Sequence, residues 1–331
     1  MRTGTMSRAA LVAGAAVVLA ARLGGQAPAA QKKPAYRVPR TSWGQPDIHG
    51  DYTNKDEANT PLERPDQLAG KDATAYTEAD LAQLAKERAA QAQQIAGGIG
   101  GAETGAGPTH WYDHLAAKGS RPWFISDPPD GHLPAMTPQA LRREAAIALL
   151  NDARNGEGRA DSTVDRSMYD RCITRGLPGS MMPAIYGNAY EIVQTPETIA
   201  IRYEMIHETR IIPLDGRPHL PAGVRQLMGD ARGRFDGDTL VVETTNFTDR
   251  THFGYNNRYN SEKLKLVERF TPIGPGRLNW EVTVNDPDVW TRPWTFAMTL
   301  TKDDSQPVFE YACHEGNYGL KHILEGARAE D

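Results

Sequence analysis

Lys263-Leu-Lys-Leu-Val-Glu-Arg-Phe-Thr271 is the stretch that decides the fold class, because its apolar side chains recur at every second position. Successive side chains of a β-strand point to opposite faces of the sheet, so Leu264, Leu266 and Phe270 share one face while Lys265 lies on the other. This pattern predicts a strand with one buried side and one solvent-facing side.

The same period of two continues on both sides of this stretch, from about residue 186 onward. Short turns such as Asp215-Gly216 separate the alternating segments, which is typical of antiparallel hairpins. A meander of about eight antiparallel strands favours a closed or nearly closed barrel whose interior can hold one small ligand. We therefore predict a mainly β fold with a barrel over residues 186–331. The candidate strands are Glu191–Thr195, Thr198–His207, Thr209–Leu214, Thr239–Phe247, Lys263–Thr271, Leu278–Asn285, Thr295–Thr301 and Val308–His314.

The preceding segment, residues 31–185, has no sustained period in its first half and is predicted to form an extended arm. Ile48–Thr53 could add one short strand to it. Two helices follow, one starting at the capping box Thr77-Glu-Ala-Asp80 and one at Thr137-Pro138. We expect these helices to wrap the barrel.

Residues 1–30 have the features of a secretory signal peptide. Arg2 and Arg8 precede an apolar run that ends at Ala21, and small residues near Ala29 could be cleaved. This run is too short to span a bilayer comfortably, and no other segment approaches the roughly 18 apolar residues of a transmembrane helix. We expect a soluble protein in the periplasm or outside the cell.

The charge distribution excludes one class of partner. The chain of 331 residues carries a formal net charge of -5. It has no stripe of basic residues with interleaved aromatic residues, which is the usual feature of nucleic-acid binding. The predicted partner is instead a small organic molecule.

The two cysteines, Cys172 and Cys313, are expected to form a disulfide if the protein is exported. Closing a loop of about 141 residues would stabilise the fold by about 4–5 kcal/mol on the chain-entropy model. A buried free thiol, or a metal ligand at Cys313, remains the alternative.

Glu268 lies in phase with the apolar residues of its strand, so its carboxylate is predicted to point into the barrel. A buried carboxylate needs a cationic partner, a hydrogen-bond network or a raised pKa. His207 is in phase with the apolar side chains at the end of Thr198–His207, so it is predicted to point inward too. The two could form an acid–base pair. The alternative is a buried ion-pair network, of Glu268 or Glu315 with Arg210 or Arg202, that only sets strand register.

Other polar residues are candidates for ligand binding at the barrel mouth. Asp215, Arg217 and His219 lie in a proline-rich connection, and loops at a barrel mouth commonly contact ligands. Arg210 is a further candidate for orienting a ligand or stabilising its charge. For Asp215 an ordinary hairpin turn is the alternative. At the end of the last predicted strand, either His314 or Glu315 would face the pocket, and a bulge would exchange them.

A metal site is possible only if the fold assembles one. No metal-binding motif with a recognised spacing is present, so His207, His219 and His314 are the candidate ligands. Hydrogen-bonded structural histidines are the favoured interpretation, and the sequence identifies no cofactor.

Four motifs resemble a family of exported bacterial proteins. This resemblance implies export, but it does not imply any particular reaction. The Gly-Asp-Thr-Leu-Val-Val strand is also similar to those of lipocalin-like barrels, which implies a lipocalin-like barrel with a central pocket. The motifs are Arg210-Ile-Ile-Pro-Leu-Asp-Gly-Arg-Pro-His219, Gly237-Asp-Thr-Leu-Val-Val-Glu-Thr-Thr-Asn-Phe247, Val267-Glu-Arg-Phe270 and Phe309-Glu-Tyr-Ala-Cys-His-Glu-Gly-Asn-Tyr318.

Two functional hypotheses follow from these observations. The first is an exported enzyme of hydrolase, lyase or isomerase type, with His207 and Glu268 as the acid–base pair. Arg210, His219 and Glu315 would then orient the substrate or stabilise charge. The second is a non-catalytic protein in which the same residues bind a small organic ligand.

Overall fold

The computed structural model describes residues 36–99, 118–152, 160–184, 186–251, 259–305 and 307–330. These residues belong to one compact unit that runs from Tyr36 to Asp331. The predicted signal peptide, residues 1–30, lies outside the described residues.

Ten strands and three α-helices follow one another in this unit. The strands are β1 (Gly50–Thr53), β2 (Ile125–Asp127), β3 (Ala189–Gln194), β4 (Thr198–Tyr203), β5 (Thr209–Pro213), β6 (Asp230–Asp236), β7 (Thr239–Thr245), β8 (Lys265–Gly274), β9 (Arg277–Asn285) and β10 (Trp294–Lys302). The helices are α1 (Glu78–Ile99), α2 (Pro138–Asp152) and α3 (Gly319–Glu330).

All ten strands join one antiparallel sheet in the order β5-β4-β3-β1-β10-β9-β8-β7-β6, and β2 pairs with β10 beside this path. The sheet curls until its two end strands, β5 and β6, lie side by side without a backbone ladder. We call the line where they meet the seam. The prediction of a mainly β, nearly closed antiparallel barrel is therefore confirmed.

Side-chain packing holds the seam together. Gly233 of β6 lies so close to β5 that a Cβ atom at this position would come within 2.8 Å of Ile212 and 2.7 Å of Leu214. The missing side chain lets the two edges approach each other, since any larger residue would push them apart.

The barrel interior is filled by large side chains from alternate strand positions. Leu266, Glu268 and Phe270 of β8 are all fully buried, as their period of two predicted. Trp280 lies 5.4 Å from Phe296, measured between ring centroids, in an edge-to-face arrangement. Such packing stabilises the barrel by removing apolar surface from water.

The structure makes two kinds of correction to the predicted strands, of which the first concerns which segments form strands. Val308–His314 is not a strand, because residues 307–312 are irregular and a turn follows at residues 313–316. The predicted arm contributes β1 and β2 to the sheet. Strand β6 was missed, because its inward positions include the small residues Ala231 and Gly233, and small residues leave no apolar alternation to detect.

The end of β4 is the second correction. The strand stops at Tyr203, and Ile206 and His207 then adopt positive φ angles of 64° and 50° in a single tight turn. This turn breaks the alternation between faces. The prediction that His207 points into the barrel is therefore wrong, and its side chain is exposed.

Both predicted helices are present. At the start of α1, the Thr77 hydroxyl accepts the backbone N–H of Asp80 at 3.2 Å, and the Asp80 carboxylate accepts the Thr77 N–H at 2.9 Å, as in a capping box. Helix α3 was not predicted. In the part of the chain that the structure describes, no helix has the length and apolar character required to cross a membrane.

Candidate functional site

Glu268 and Arg210 form a bidentate ion pair inside the barrel. Arg210 donates from Nη1 to Oε1 of Glu268 at 3.0 Å and from Nη2 to Oε2 at 2.5 Å. Trp280 Nε1 donates to the same Oε1 at 3.2 Å. Both carboxylate oxygens therefore have donors, and the side chains of the pair are 3% and 0% exposed.

This ion pair also bridges the seam. Arg210 belongs to β5, whereas Glu268 belongs to β8, and Arg210 Nη2 additionally donates to the Thr244 hydroxyl of β7 at 2.6 Å. Burial on its own lowers the pKa of Arg210, but the adjacent Glu268 carboxylate outweighs burial and raises that pKa. The guanidinium thus connects the end strand β5 to β7 and β8 across the seam.

The structure does not bring the predicted acid–base pair together. His207 lies on the outside, and its Nδ1 is 2.7 Å from the carbonyl oxygen of Tyr311. Since Glu268 is fully buried, the two residues occupy different environments. A catalytic role for them stays a prediction.

The other predicted binding residues are spread over the surface. Asp215 forms an ion pair with Arg217 two residues later and accepts its backbone N–H at 3.1 Å, as expected for the simple turn. His314 and Glu315 both lie exposed in the turn at residues 313–316, outside the barrel interior.

His219 holds its loop against the outer face of β6 and β7. Its Nδ1 lies 3.0 Å from Oδ2 of Asp230, and its Nε2 lies 3.4 Å from Oε1 of Glu243. Burial alone would raise the pKa of Asp230, but the Leu220 N–H, His219 and Arg232 together lower it. These contacts fix the loop to the sheet, and they have a structural role.

The predicted disulfide between Cys172 and Cys313 is present, with the two Cα atoms 5.8 Å apart. It ties the irregular segment after β10 to the loop before β3. Within the described ranges, no group of three His, Cys, Asp or Glu side chains could hold a metal ion.

A second buried glutamate, Glu57, lies at a gap in the sheet. Strand β10 pairs with β2 at residues 295–296 and with β1 at residues 301–302, so among the described residues the stretch between them has no strand on that side. Glu57 fills this gap. Its Oε1 accepts the Thr299 N–H at 3.4 Å, and its two oxygens accept the Ser120 N–H at 3.2 and 3.0 Å.

Burial raises the pKa of Glu57 above its ordinary value, because its donors from Ser120, Thr299 and Thr60 only partly offset the loss of hydration. Thr60 donates its hydroxyl at 3.2 Å. No arginine forms a hydrogen bond to this carboxylate in the described structure. Arg88 and Arg121 are nevertheless near enough to interact with it electrostatically.

Next to Glu57, a cleft of about 610 Å³ opens between α1 and the outer face of the barrel. Met298 and Leu300 of β10 point into the core, so the intervening Thr299 and the following Thr301 face outward and form one wall. Helix α1 forms the opposite wall. Its cleft-lining apolar side chains are Leu81, Ala82, Ala85 and Ala89.

The sequence carries little sign of this cleft. Its only signal was the thin apolar stripe of α1, where alanines recur at the spacing of one helical face. A stripe of alanines is compatible with close packing as well as with an open groove, and only the position of β10 distinguishes them.

No protein-family model matches the chain, and no curated protein shows significant similarity to it. Two matching solved structures are crystal structures of the fluorescent protein UnaG, in wild-type and mutant form. Both are 13% identical over 35% of this chain, cover 72% and 70% of their own chains respectively, and have a TM-score of 0.21. A TM-score this low does not indicate a shared fold. The barrel assignment therefore rests on strand pairing alone.

Proposed function

We propose that this protein binds a small organic molecule in the cleft between α1 and the outer face of β10. The observation that carries the proposal is the size and placement of the cleft. Its volume of about 610 Å³ is typical of sites for small ligands, which occupy roughly 300–1,000 Å³.

The composition of the two walls supports this proposal. Ala82, Ala85 and Ala89 of α1 have short side chains, so they leave the groove open while keeping its surface apolar. Thr299 and Thr301 add hydroxyl groups on the opposite wall. An apolar groove with a few polar groups is the usual form of a binding site for organic molecules.

The barrel interior favours binding over acid–base catalysis as the function. Both oxygens of Glu268 already accept hydrogen bonds, and a general base needs a free oxygen near its substrate. His207, the proposed proton-transfer partner, lies outside. The interior ion pair is better explained as a structural element.

We also infer that the protein acts outside the cytoplasm, in the periplasm or after secretion. Supporting this are the Cys172–Cys313 disulfide, which persists in oxidising compartments, and the predicted signal peptide. The compartment is tested by fractionating cells that express the full chain.

The binding proposal is tested by filling the cleft. An Ala85→Trp substitution would place an indole in the groove, whereas Ala90→Trp puts the same group on an exposed position of the same helix that does not line the cleft. We expect titration with 1-anilinonaphthalene-8-sulfonate to give a fluorescence increase that A85W abolishes and A90W retains. If neither variant alters binding of this dye, or if the dye does not bind, the proposed cleft function is wrong.

A further inference from the structure

We propose that the ligand of this cleft is an elongated apolar molecule that carries a single carboxylate. The inference rests on the proposed function, since it names the chemistry that the same cleft selects. It follows from the shape of the cleft, from the apolar face of α1 and from which charged groups at the cleft remain unpaired.

The cleft is long rather than round. Residues of α1 line it from Glu78 to Ala89, and at 1.5 Å per residue this distance is about 16 Å. Along this length the contacts come from Leu81 and the alanines of one helical face. An extended hydrocarbon chain would remain in contact with this face throughout its length.

The acidic groups of the cleft are largely occupied. Asp56 pairs with Lys118, with 3.8 Å between the carboxylate oxygen and the ammonium nitrogen. Glu57 is 1% exposed and uses its oxygens for the Ser120 and Thr299 N–H groups. Neither carboxylate is therefore available to a positively charged ligand.

The basic groups are more available. Lys86 of α1 and Arg277 of β9 line the cleft and are exposed, and among the described residues neither forms an ion pair. Glu78 is the remaining acid at the cleft, and it lies in the first turn of α1, where the helix dipole offsets its charge.

Further positive charge lies behind the wall. Arg88 and Arg121 are both close enough to Glu57 to interact with its charge. Glu87 also acts on Arg88, and Glu281 on Arg121, so these arginines add no excess of positive charge. The preference for an anionic head group over a cationic one therefore comes from Lys86 and Arg277, the two cleft-lining cations without an ion pair among the described residues.

The test compares three ligands of equal chain length: dodecanoate, methyl dodecanoate and dodecylammonium, each below its micellar concentration. Dissociation constants are measured by isothermal titration calorimetry on the full protein. We expect dodecanoate to bind at least about tenfold more tightly than the ester, as two partly exposed cations would provide, and dodecylammonium to bind most weakly.

Charge removal gives the matched comparison. In K86Q/R277Q the preference for dodecanoate over the ester should fall to about twofold or less, while the affinity for the ester stays unchanged. The control K321Q/R250Q removes the same charge from positions that do not line the cleft, and its preference should equal that of the unmodified protein.

The outcomes separate the two proposals. If dodecylammonium binds as tightly as dodecanoate, or if K86Q/R277Q keeps the full preference, the carboxylate inference is wrong although the cleft still binds ligands. If the dye is displaced by none of the three compounds but is blocked by A85W, the inference fails and the proposed function stands. If A85W leaves all binding intact, both fail.

Discussion

Glu268 and Glu57 are both buried, and each is linked to an interruption in the backbone ladder of the barrel, Glu268 through Arg210 of the end strand β5 and Glu57 directly. Glu268 takes part in closing the seam between β5 and β6, and Glu57 fills the gap between β1 and β2 along β10. Their partners differ. Glu268 faces the guanidinium of Arg210, whereas Glu57 faces neutral donors from Ser120, Thr299 and Thr60.

The difference shows that a barrel can accommodate a buried carboxylate in two ways. A cationic partner neutralises the charge, so the pair is stable together and costly to separate. Neutral N–H donors satisfy the oxygens but leave the charge buried, and the pKa of Glu57 is raised as a consequence. The first arrangement should be sensitive to mutation, and the second should be sensitive to pH.

The largest effect is expected from breaking the pair at the seam. Arg210→Met leaves the Glu268 carboxylate buried without its cation and should lower the free energy of unfolding by about 3–5 kcal/mol, measured by urea denaturation. The control is Arg202→Met, because the Arg202–Glu191 pair is 36% exposed on both sides. Its loss should be about 1 kcal/mol or less. Equal losses would contradict the assigned role of Arg210.

Removing both charges should restore much of this loss. In the double variant R210M/E268L no unpaired charge remains, and apolar replacements of buried ion pairs are often neutral or stabilising. We expect the double variant to unfold at a higher urea concentration than R210M alone. A double variant less stable than R210M would mean that the pair contributes more than mutual neutralisation.

Glu57 should give the protein a pH dependence. Because folding raises the pKa of Glu57, the folded protein holds this proton more tightly than the unfolded chain does. Its contribution is therefore fully present below about pH 4.5, the ordinary pKa, and is lost as the pH rises through the raised pKa.

A Glu57→Gln variant isolates this contribution. It should lack the part of the decline in unfolding free energy that Glu57 causes as the pH rises. At low pH its stability should lie within about 1 kcal/mol of the unmodified protein, because the protonated carboxyl group and the amide each offer one carbonyl acceptor. The readout is the difference between unfolding free energies of the two proteins at several pH values, since other acids such as Asp230 titrate in both. A difference that does not change with pH would show that Glu57 holds no raised pKa.

The smallest loss of stability is expected at Thr244, the third partner of the Arg210 guanidinium. Thr244→Val removes the hydroxyl that accepts from Arg210 Nη2 but keeps the two Glu268 contacts, so the loss should be about 1 kcal/mol. Thr283→Val, which breaks only a hydroxyl contact to Thr295, is the matched control. A loss of several kcal/mol at Thr244 would place the main support of Arg210 there instead.

Much of the barrel could be predicted from local patterns. Alternation placed Glu268 in the interior, and the cost of a buried charge required a partner, for which Arg210 and Arg202 were the alternatives. The distinction between them is tertiary. Arg210 faces inward from β5, while Arg202 faces outward from β4 and pairs with Glu191.

The errors also have local causes. His207 was placed inside because alternation was extended through Ile206, whose positive φ reverses the chain. The segment Val308–His314 was taken for a strand, yet it has no neighbouring strand to pair with in the described structure. A period of two in the sequence shows which side chains could share one face of a strand. Hydrogen bonding to a neighbouring strand decides whether the strand forms at all.

The sequence by itself determined the class of fold, the two earlier helices, the pairing of Cys172 with Cys313 and the burial of Glu268. These features depend on local period, capping and cysteine count, which are properties of short stretches or of simple pairing. Only the tertiary structure decided how the barrel closes, that Glu57 fills a gap in the sheet, and that α1 leaves a cleft beside β10. Those features depend on contacts between residues far apart in the chain, and no local pattern records such distances.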